Sequence, residues 1–390
     1  MAFKRALAFS TLTLVVFACS FCDAAKPGGG GTSGMTFRVV PVSSSAGIVR
    51  SINDSSQTVG YLSDPPLAQY WHVGSNDAVS TLTLDHTLSD PQGAVEFDSV
   101  ANSINNQGMI VGAVGDYATG TNWRPVVWMD ATMPVQPLPI PEGLTITGGE
   151  AFGISHQAPQ LSGLQAVIVG RLSHDEAGRT LCFVVAWPIL TSGEILTPTL
   201  VDFGTTGEFN SAATSINSQL TVVGAVDQQA MRWQLNWNGT SLGVAAAQPL
   251  YGPGSFSTAE AVNEFGDICG TAGGQAFLLE NVNGSLTNRT LALLVNNTKT
   301  GTRNVRAYAL DSSATPKVVG AVDVYRKSNG VIDRLNDPVL WQGSSVTDLM
   351  KVSTPTTLVP DDLTAINNSG RIAGTAWTGT LHVPVVLIPQ

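Results

Sequence analysis

The sequence has few charged residues, 12% of its 390 positions, and no cluster of basic ones. Aspartate and glutamate number 29 against 19 lysines and arginines, which gives a formal net charge of −10. An acidic, charge-poor surface repels phosphate backbones. The composition therefore predicts no nucleic-acid partner.

Cysteine is scarce as well, with four in the whole chain. Two of these, Cys182 and Cys269, lie far apart on apolar segments, which is typical of buried small hydrophobic residues. A disulfide between them is the alternative. Beyond the N-terminus, no apolar segment approaches the length of about 18 residues that a transmembrane helix needs.

Motifs of familiar chemistry are missing. There is no P-loop, no G-x-S-x-G, no dinucleotide fingerprint and no calcium-binding D-x-D-x-D loop. The five histidines do not cluster at metal-ligand spacing. The triplet His174-Asp175-Glu176 is the best local candidate for a metal or acid/base site, and a solvated loop is its plainer interpretation. We predict no cofactor and no bound metal.

The N-terminus has the pattern of an export signal. Lys4 and Arg5 precede an apolar run, Leu7 to Ala18, and small residues follow. We predict a signal peptide over residues 1–25, cleaved after Ala24 or Ala25, and a glycine-rich linker over 26–35. The sequence "VFAC" also fits a lipobox that would attach the chain to a membrane through Cys19. The predicted location is extracellular, with a periplasmic or lipid-anchored surface protein as the alternative.

A unit of about 50 residues recurs along the rest of the chain. It runs from Ile-Asn through a short turn to an apolar Val-Val-Gly element, as in "VANSINNQGMIVGAV". Its seven glycines are Gly60, Gly112, Gly170, Gly224, Gly270, Gly320 and Gly374. Asparagine stands seven residues earlier in five units, at Asn53, Asn105, Asn217, Asn263 and Asn367, while Ser155 and Asp311 replace it in the other two. These residue types form turns by bonding their own backbone.

Each unit carries four short strands rich in Val, Ile, Leu and aromatics, and the third often ends in tryptophan. Four-stranded units repeating at this period predict an all-β, seven-bladed β-propeller over residues 36–390. The seventh unit stops after its third strand, whereas a spare strand, "TFRVVPV" (36–42), precedes the first unit. We predict that this N-terminal strand completes the last blade. A stacked array of separate β-units is the alternative.

The repeats resemble the bacterial extracellular repeat family called HAF, named for a His-Ala-Phe tripeptide. The matching pieces are "AEAVNEFGDICG" (259–270), "QAFLL" (275–279), "LW" (340–341), "VDFG" (201–204) and "TDLM" (347–350). No unit carries the histidine. The resemblance implies a secreted repeat protein and brings no catalytic residues with it.

The repeated residues favour structural roles over a ligand role. The asparagines are expected in turns and the tryptophans in the core between blades, although a ring of ligands or a sugar-stacking surface is the alternative. Mid-strand Gly112, Gly224 and Gly320 indicate close backbone packing. The first strands, expected to be innermost, contribute Glu150 and Glu260 from blades that are not adjacent, so paired-carboxylate catalysis is not predicted.

The leading functional interpretation is a monomeric binding or adhesion module for a glycan or protein partner. A glycan-active or otherwise hydrolytic enzyme and a purely structural envelope protein are the alternatives. Insertions between second and third strands, residues 115–124, 171–179 and 323–337, are the predicted binding surface because variable loops on rigid scaffolds commonly carry recognition. The candidate ligand-binding residues are Tyr117, Trp123, Arg124, Arg171, Tyr325, Arg326, Lys327 and Arg334. Insertions without a function are the alternative.

Overall fold

A computed structural model describes residues 35–90, 93–116, 121–176, 179–203, 211–252, 254–292, 294, 304–328 and 331–390. The predicted signal peptide, the linker up to residue 34 and Cys19 lie outside the described residues. In chain order the strands are β1 (Phe37–Pro41), β2 (Gly47–Ile52), β3 (Gln57–Ser63), β4 (Pro66–Val73), β5 (Val79–Thr83), β6 (Thr87–Asp90), β7 (Gly93–Glu96), β8 (Asp98–Ile104), β9 (Ile110–Asp116), β10 (Thr121–Trp128), β11 (Gln136–Pro137), β12 (Gly148–Ile154), β13 (Leu164–Glu176), β14 (Arg179–Leu190), β15 (Thr199–Phe203), β16 (Ala212–Ile216), β17 (Thr221–Val226), β18 (Gln229–Trp237), β19 (Leu242–Pro249), β20 (Ser257–Val262), β21 (Ile268–Ala272), β22 (Gln275–Val282), β23 (Ser285–Arg289), β24 (Val305–Leu310), β25 (Lys317–Ser328), β26 (Val331–Gln342), β27 (Ser345–Asp348), β28 (Ser353–Thr354), β29 (Val359–Ile366), β30 (Ile372–Trp377) and β31 (His382–Pro389).

These strands form seven antiparallel blades arranged in a ring, which confirms the predicted seven-bladed propeller. Blades 1 to 6 are meanders of four consecutive strands: β2–β5, β8–β11, β12–β15, β16–β19, β20–β23 and β24–β27. The first strand of each blade lines the central axis, as expected. The turns joining first to second strands emerge on one face, here called the turn face. The hairpins joining second to third strands emerge on the other, the hairpin face.

The seventh blade joins both ends of the described chain. Its strands are β29, β30 and β31, and β1 completes it by pairing with β31 from Phe37↔Pro389 to Pro41↔Val385. A short strand, β28, adds to the outer edge in parallel with β1. Pairing of the N-terminal strand with the last blade is therefore confirmed, and no blade is left a strand short.

Three local features differ from the sequence interpretation. A small hairpin, β6–β7, stands outside the blades in the connection between blades 1 and 2, and a four-residue helix, α1 (Leu349–Val352), follows β27. The repeat pattern favours the apolar segment "TLALLV" (290–295) as the fourth strand of blade 5, whereas that strand is β23, which precedes it. The reason is a tight turn at Asn283 and Gly284, both with positive φ, which reverses the chain directly after β22.

The repeated glycine faces a β-bulge on the inner strand. In every blade the first strand has one extra residue directly after the partner of this glycine; in blade 1, for example, Arg50 is the extra residue and Val49 is the partner of Gly60. A Cβ atom on Gly60 would lie 1.9 Å from the carbonyl oxygen of Ile48, and one on Gly112 would lie 1.9 Å from that of Val100. The predicted close backbone approach at these glycines is confirmed.

The cores lie between blades. One cluster joins Val59 and Ala68 of blade 1 to Ala101, Ile110 and Trp128 of blade 2. The five tryptophans that end third strands are all buried, as expected for core residues: Trp71, Trp128, Trp187, Trp233 and Trp341. Four also hydrogen-bond the preceding blade or its outgoing connection through Nε1. Cys182 and Cys269 are buried and free.

The repeated asparagines perform two tasks at once. Asn217 Oδ1 accepts hydrogen bonds from the backbone N–H groups of Gln219 and Thr221, which holds the turn. Its Nδ2 donates to the carbonyl oxygen of Asn263 in the next blade at 2.9 Å. The same inter-blade bond joins Asn53 to Asn105, Asn263 to Asp311 and Asn367 to Asn53. The predicted turn role is confirmed, whereas the hydrogen bond between blades was not predicted from the sequence.

Within the described part of the chain, no helix is long and apolar enough to cross a membrane.

Candidate functional site

A central cavity of about 220 Å³ opens toward the turn face and is lined by the inner strands of all seven blades. Its floor consists of the seven bulged residues, one from each blade: Arg50, Asn102, Phe152, Thr214, Glu260, Tyr308 and Thr364. Its wall consists of small residues one position further on, including Ser51, Ser103, Ser215, Ala261, Ala309 and Ala365. Small wall residues leave the floor accessible from the turn face.

Three floor residues donate hydrogen bonds to the backbone of the neighbouring blade. Asn102 Nδ2 donates to the carbonyl oxygen of Ala151 in the next blade at 2.9 Å, and Thr214 Oγ1 donates to that of Ala259 at 2.8 Å. Thr364 Oγ1 donates to the carbonyl oxygen of Val49 at 3.2 Å. These are equivalent bonds at equivalent positions, so the three side chains join neighbouring blades.

The other four floor residues depart from that pattern. They are Arg50, Phe152, Glu260 and Tyr308. Their side chains include a cation, a carboxyl group and two aromatic rings, which differ from one another and from the Asn and Thr residues. A position that varies within an otherwise regular repeat is a position that the scaffold does not dictate.

Arg50 sits deep in the cavity with spare hydrogen-bonding capacity. One terminal nitrogen contacts the hydroxyl of Tyr61 at 3.4 Å, and the guanidinium carbon lies 5.5 Å from the centroid of that ring. Its Nε is buried and has no hydrogen-bond partner among the described residues. Although burial opposes the charge, contacts with Tyr61 and the nearby Glu150 and Asp362 raise the pKa of Arg50. The side chain is therefore a permanent donor.

Burial acts in the same direction on the two titratable floor residues, Glu260 and Tyr308, because it raises the pKa of each. Burial raises the pKa of the Glu260 carboxyl, against a hydrogen bond that it accepts from Thr258 at 2.7 Å. Burial and the charge of Asp362 raise the pKa of Tyr308. The Tyr308 hydroxyl lies beside Arg306 yet makes no hydrogen bond of normal geometry within the described residues. Both groups can form a hydrogen bond with a ligand.

The charges around the floor balance. Glu150 accepts a hydrogen bond from Asn102 at 2.9 Å and lies 3.9 Å from the Arg171 guanidinium. Asp362 lies in the field of both Arg50 and Arg306, and burial raises the pKa of this carboxyl. Counted as formal charges, three arginines stand against three carboxyl groups around the floor, so it carries no excess formal charge to attract an ion: Arg50, Arg171 and Arg306 against Glu150, Glu260 and Asp362.

The rim of the cavity is a second ring of inter-blade bonds, made by the residue that follows each repeated Asn, Ser or Asp. Asp54 bonds Asn106 at 2.8 Å, Asn368 at 2.9 Å and His156 at 3.3 Å. Although burial opposes it, these hydrogen bonds lower the pKa of Asp54. On the other side Glu264 accepts from Ser218, and its Oε1 is buried without a partner in the described structure. The rim is acidic.

The candidate ligand-binding residues predicted in the three insertions do not come together on one surface of the described structure. The segment 171–179 is mostly strand, because β13 and β14 extend into a long hairpin, and β25 and β26 do the same for 323–337. Arg171 is therefore a strand residue that reaches Glu150, with its guanidinium 5.5 Å from the centroid of Phe152. Trp123 covers Gly115 and is half-buried, whereas Arg124 is exposed. Tyr117 lies outside the described residues, and Tyr325, Arg326, Lys327 and Arg334 are described by their backbone alone.

The triplet at 174–176 does not converge. His174 Nδ1 contacts the carbonyl oxygen of Thr145, whereas Asp175 accepts a hydrogen bond from Thr180 at 2.7 Å. The side chain of Glu176 lies outside the described residues. Across the described ranges, no three His, Cys, Asp or Glu side chains come together in a group that could hold a metal ion.

Sequence reasoning found part of this site. Glu150 and Glu260 were recognised but Asp362 was not, because nothing in the repeated unit marks the start of β29 at Val359. Arg50 and Tyr308 were not among the candidates either, although both lie in first strands, β2 and β24. The available signal was the position before the small residue of each inner strand, where Arg, Asn, Phe, Thr, Glu, Tyr and Thr alternate without a pattern.

No protein-family model matches this chain, and the search of curated proteins found no match.

Proposed function

We propose that this protein is a secreted or surface-attached binding module for a glycan or protein partner, and that part of the ligand enters the central cavity. The observation that carries the proposal is the division of the floor. Asn102, Thr214 and Thr364 join blades, whereas Arg50 Nε and the Tyr308 hydroxyl are buried donors with no partner in the described structure. Unsatisfied buried polar groups are destabilising, so their retention favours a ligand role.

Secretion is supported by Lys4, Arg5 and the apolar run that follows them. A binding role is favoured over hydrolysis by the arrangement of the acids. Glu150 is engaged with Asn102 and Arg171, and Glu260 with Thr258. A carboxyl pair that works on one bond needs one member ionised and free to act.

The test is a binding measurement with a filled cavity. Ser103→Phe places a large ring on the cavity wall, and Ser80→Phe on the exposed edge strand β5 makes the same change away from it. The mature chain and both variants are applied to glycan arrays and to envelope preparations. We expect Ser103→Phe to lose binding by at least about tenfold, and Ser80→Phe to keep it, with circular dichroism unchanged in both.

A third variant addresses the hairpin face. Residues 325–334 are replaced by a short Gly-Ser link, which exposed insertions tolerate. Loss of binding in this variant with full binding in Ser103→Phe would move the site to the hairpin face, where Trp123 and Arg124 lie. Turnover of glycosides or esters by the wild-type chain would contradict the binding interpretation altogether.

A further inference from the structure

The central cavity has the size of a terminal group rather than of a whole ligand. At about 220 Å³ it is smaller than the roughly 300–1,000 Å³ of pockets that hold drug-sized molecules. It opens toward the turn face, so a longer molecule can continue outward past the rim. An extended polymer with a small end group fits this shape.

The floor offers hydrogen bonds of both kinds together with apolar surface. Arg50 Nε and the Tyr308 hydroxyl are unpartnered donors within the described structure, and the Glu260 carboxyl group in the same cavity can accept. The rings of Phe152 and Tyr308 line the same cavity. Hydroxyl groups on a compact ring with apolar C–H faces complement such a floor, because they donate, accept and pack at once.

The charge distribution argues against an anionic end group. Arg50 is already in the field of Glu150 and Asp362, and Arg171 lies 3.9 Å from Glu150. The rim adds Asp54 and Glu264, whose negative charge an incoming anion must pass. A carboxylate or sulfate group would meet no excess positive charge at the floor and repulsion at the mouth.

We propose that the central cavity binds the terminal residue of a neutral glycan, with Arg50 and Tyr308 donating hydrogen bonds to its hydroxyl or ring oxygens. This inference rests on the proposed binding function and specifies its ligand. Glu260 supplies a third hydrogen bond through its carboxyl group. Phe152 supplies an apolar surface on the floor.

The experiment uses the mature chain on an array of glycans ending in neutral hexoses, N-acetylhexosamines, uronic acids or amino sugars. Titration with the methyl glycosides of the same sugars follows. We expect at least one neutral terminal sugar to bind about tenfold more tightly than the uronic acid of the same ring stereochemistry. Strongest binding to uronic acids or to amino sugars would overturn the proposal.

A pair of matched variants locates the contact. Tyr308→Phe removes only the unpartnered hydroxyl, and Tyr251→Phe makes the same change in blade 4 outside the central cavity. We expect Tyr308→Phe to weaken binding of the neutral sugar about 3- to 10-fold and Tyr251→Phe to leave it unchanged. Equal binding by both variants would overturn the assignment of Tyr308.

The outcomes separate the two proposals. If no sugar binds but the wild-type chain still adheres to envelope preparations in a manner sensitive to Ser103→Phe, the neutral-glycan inference is wrong and the binding function stands. If neither sugars nor envelope preparations bind, both are wrong.

Discussion

Asn367 donates a hydrogen bond from Nδ2 to the carbonyl oxygen of Asn53 at 2.9 Å, across 314 residues of sequence. The bond is the same one that joins Asn217 to Asn263 within the chain. The last blade thus meets the first through the contact that neighbouring blades use elsewhere. Together with the pairing of β1 and β31, it closes the propeller at both the turn face and the outer edge of blade 7.

The inter-blade role of the repeated asparagine is tested by Asn217→Asp. Aspartate keeps the oxygen that accepts from the turn, as Asp311 does in blade 6, but cannot donate to Asn263. We expect the free energy of unfolding to fall by about 1–3 kcal/mol, because a buried carbonyl oxygen loses its partner. The control is Asn238→Asp in an exposed turn of the same blade, expected within about 0.5 kcal/mol of wild type. Equal urea midpoints for the two variants would refute the inter-blade role.

The bulge opposite each repeated glycine predicts the effect of adding one methyl group. A Cβ atom at Gly224 would lie 2.0 Å from the carbonyl oxygen of Ala212, which is backbone and cannot move aside. Gly224→Ala should therefore destabilise the chain by more than about 3 kcal/mol. Gly252→Ala, where the added atom meets nothing within 4 Å, should change stability by less than about 0.5 kcal/mol. Thermal melts of both variants give the answer, and a mild effect at Gly224 would be inconsistent with the bulge.

Closure by β1 predicts how truncation acts. A chain that starts at Met35 retains all seven blades, whereas one that starts at Ser43 lacks β1 and leaves the edge of β31 unpaired. The second chain also loses buried Phe37 and Val39, and removal of a single such side chain typically costs about 2–5 kcal/mol. We expect it to unfold at lower urea and to aggregate through the open edge. Equal stability of the two chains would show that β1 does not hold the ring.

Glu260 predicts a pH dependence of stability. Burial raises the pKa of its carboxyl in the folded protein, so the folded state favours the protonated form more than the unfolded state does. Its contribution to stability is therefore full below the ordinary glutamate range and is lost as pH rises through the raised value. Glu260→Gln keeps a group that can accept from Thr258 and carries no charge. Its melting temperature should exceed that of wild type at pH 8 and match it at pH 4, and the reverse order would contradict the burial of this group.

The contact between His382 and Asp361 should make the stability of blade 7 depend on pH. The contact between His382 Nδ1 and Asp361 raises the pKa of the histidine, which burial opposes. The stabilisation is present below the ordinary histidine range and is lost as pH rises through the raised value. His382→Gln should lower the melting temperature more at pH 5 than at pH 9. Introducing Asp361→Asn first should remove that difference, and a pH-independent effect in both backgrounds would argue against the pair.

The fold could be predicted because its signals are local and repeated. Each Ile-Asn turn and each Val-Val-Gly element is recognisable within a few residues, and the missing fourth strand of the last unit identified β1 as its partner. The turn role of Asn217 followed from its chemistry. Its bond to Asn263 did not, because the distance between two blades depends on how the whole ring closes.

The site was harder to predict than the scaffold. Arg171 stood in a segment interpreted as a loop, yet it lies in β13, directly opposite Glu150 on β12. Asp362 was overlooked because the start of β29 is not marked by the repeat. The floor residues could not be recognised from the sequence, because Arg50 and Tyr308 share one surface only through the bulge in each inner strand. Their chemistry is in the sequence, but their convergence comes from the ring.

The position of a bound glycan tests the central claim most directly. A crystal structure of residues 35–390, soaked with the array ligand that binds most tightly, gives that position. The account predicts that the terminal residue lies in the central cavity, with oxygens within hydrogen-bond distance of Arg50 Nε and the Tyr308 hydroxyl. Electron density for the ligand on the hairpin face beside Trp123, with the central cavity holding only water, would contradict it.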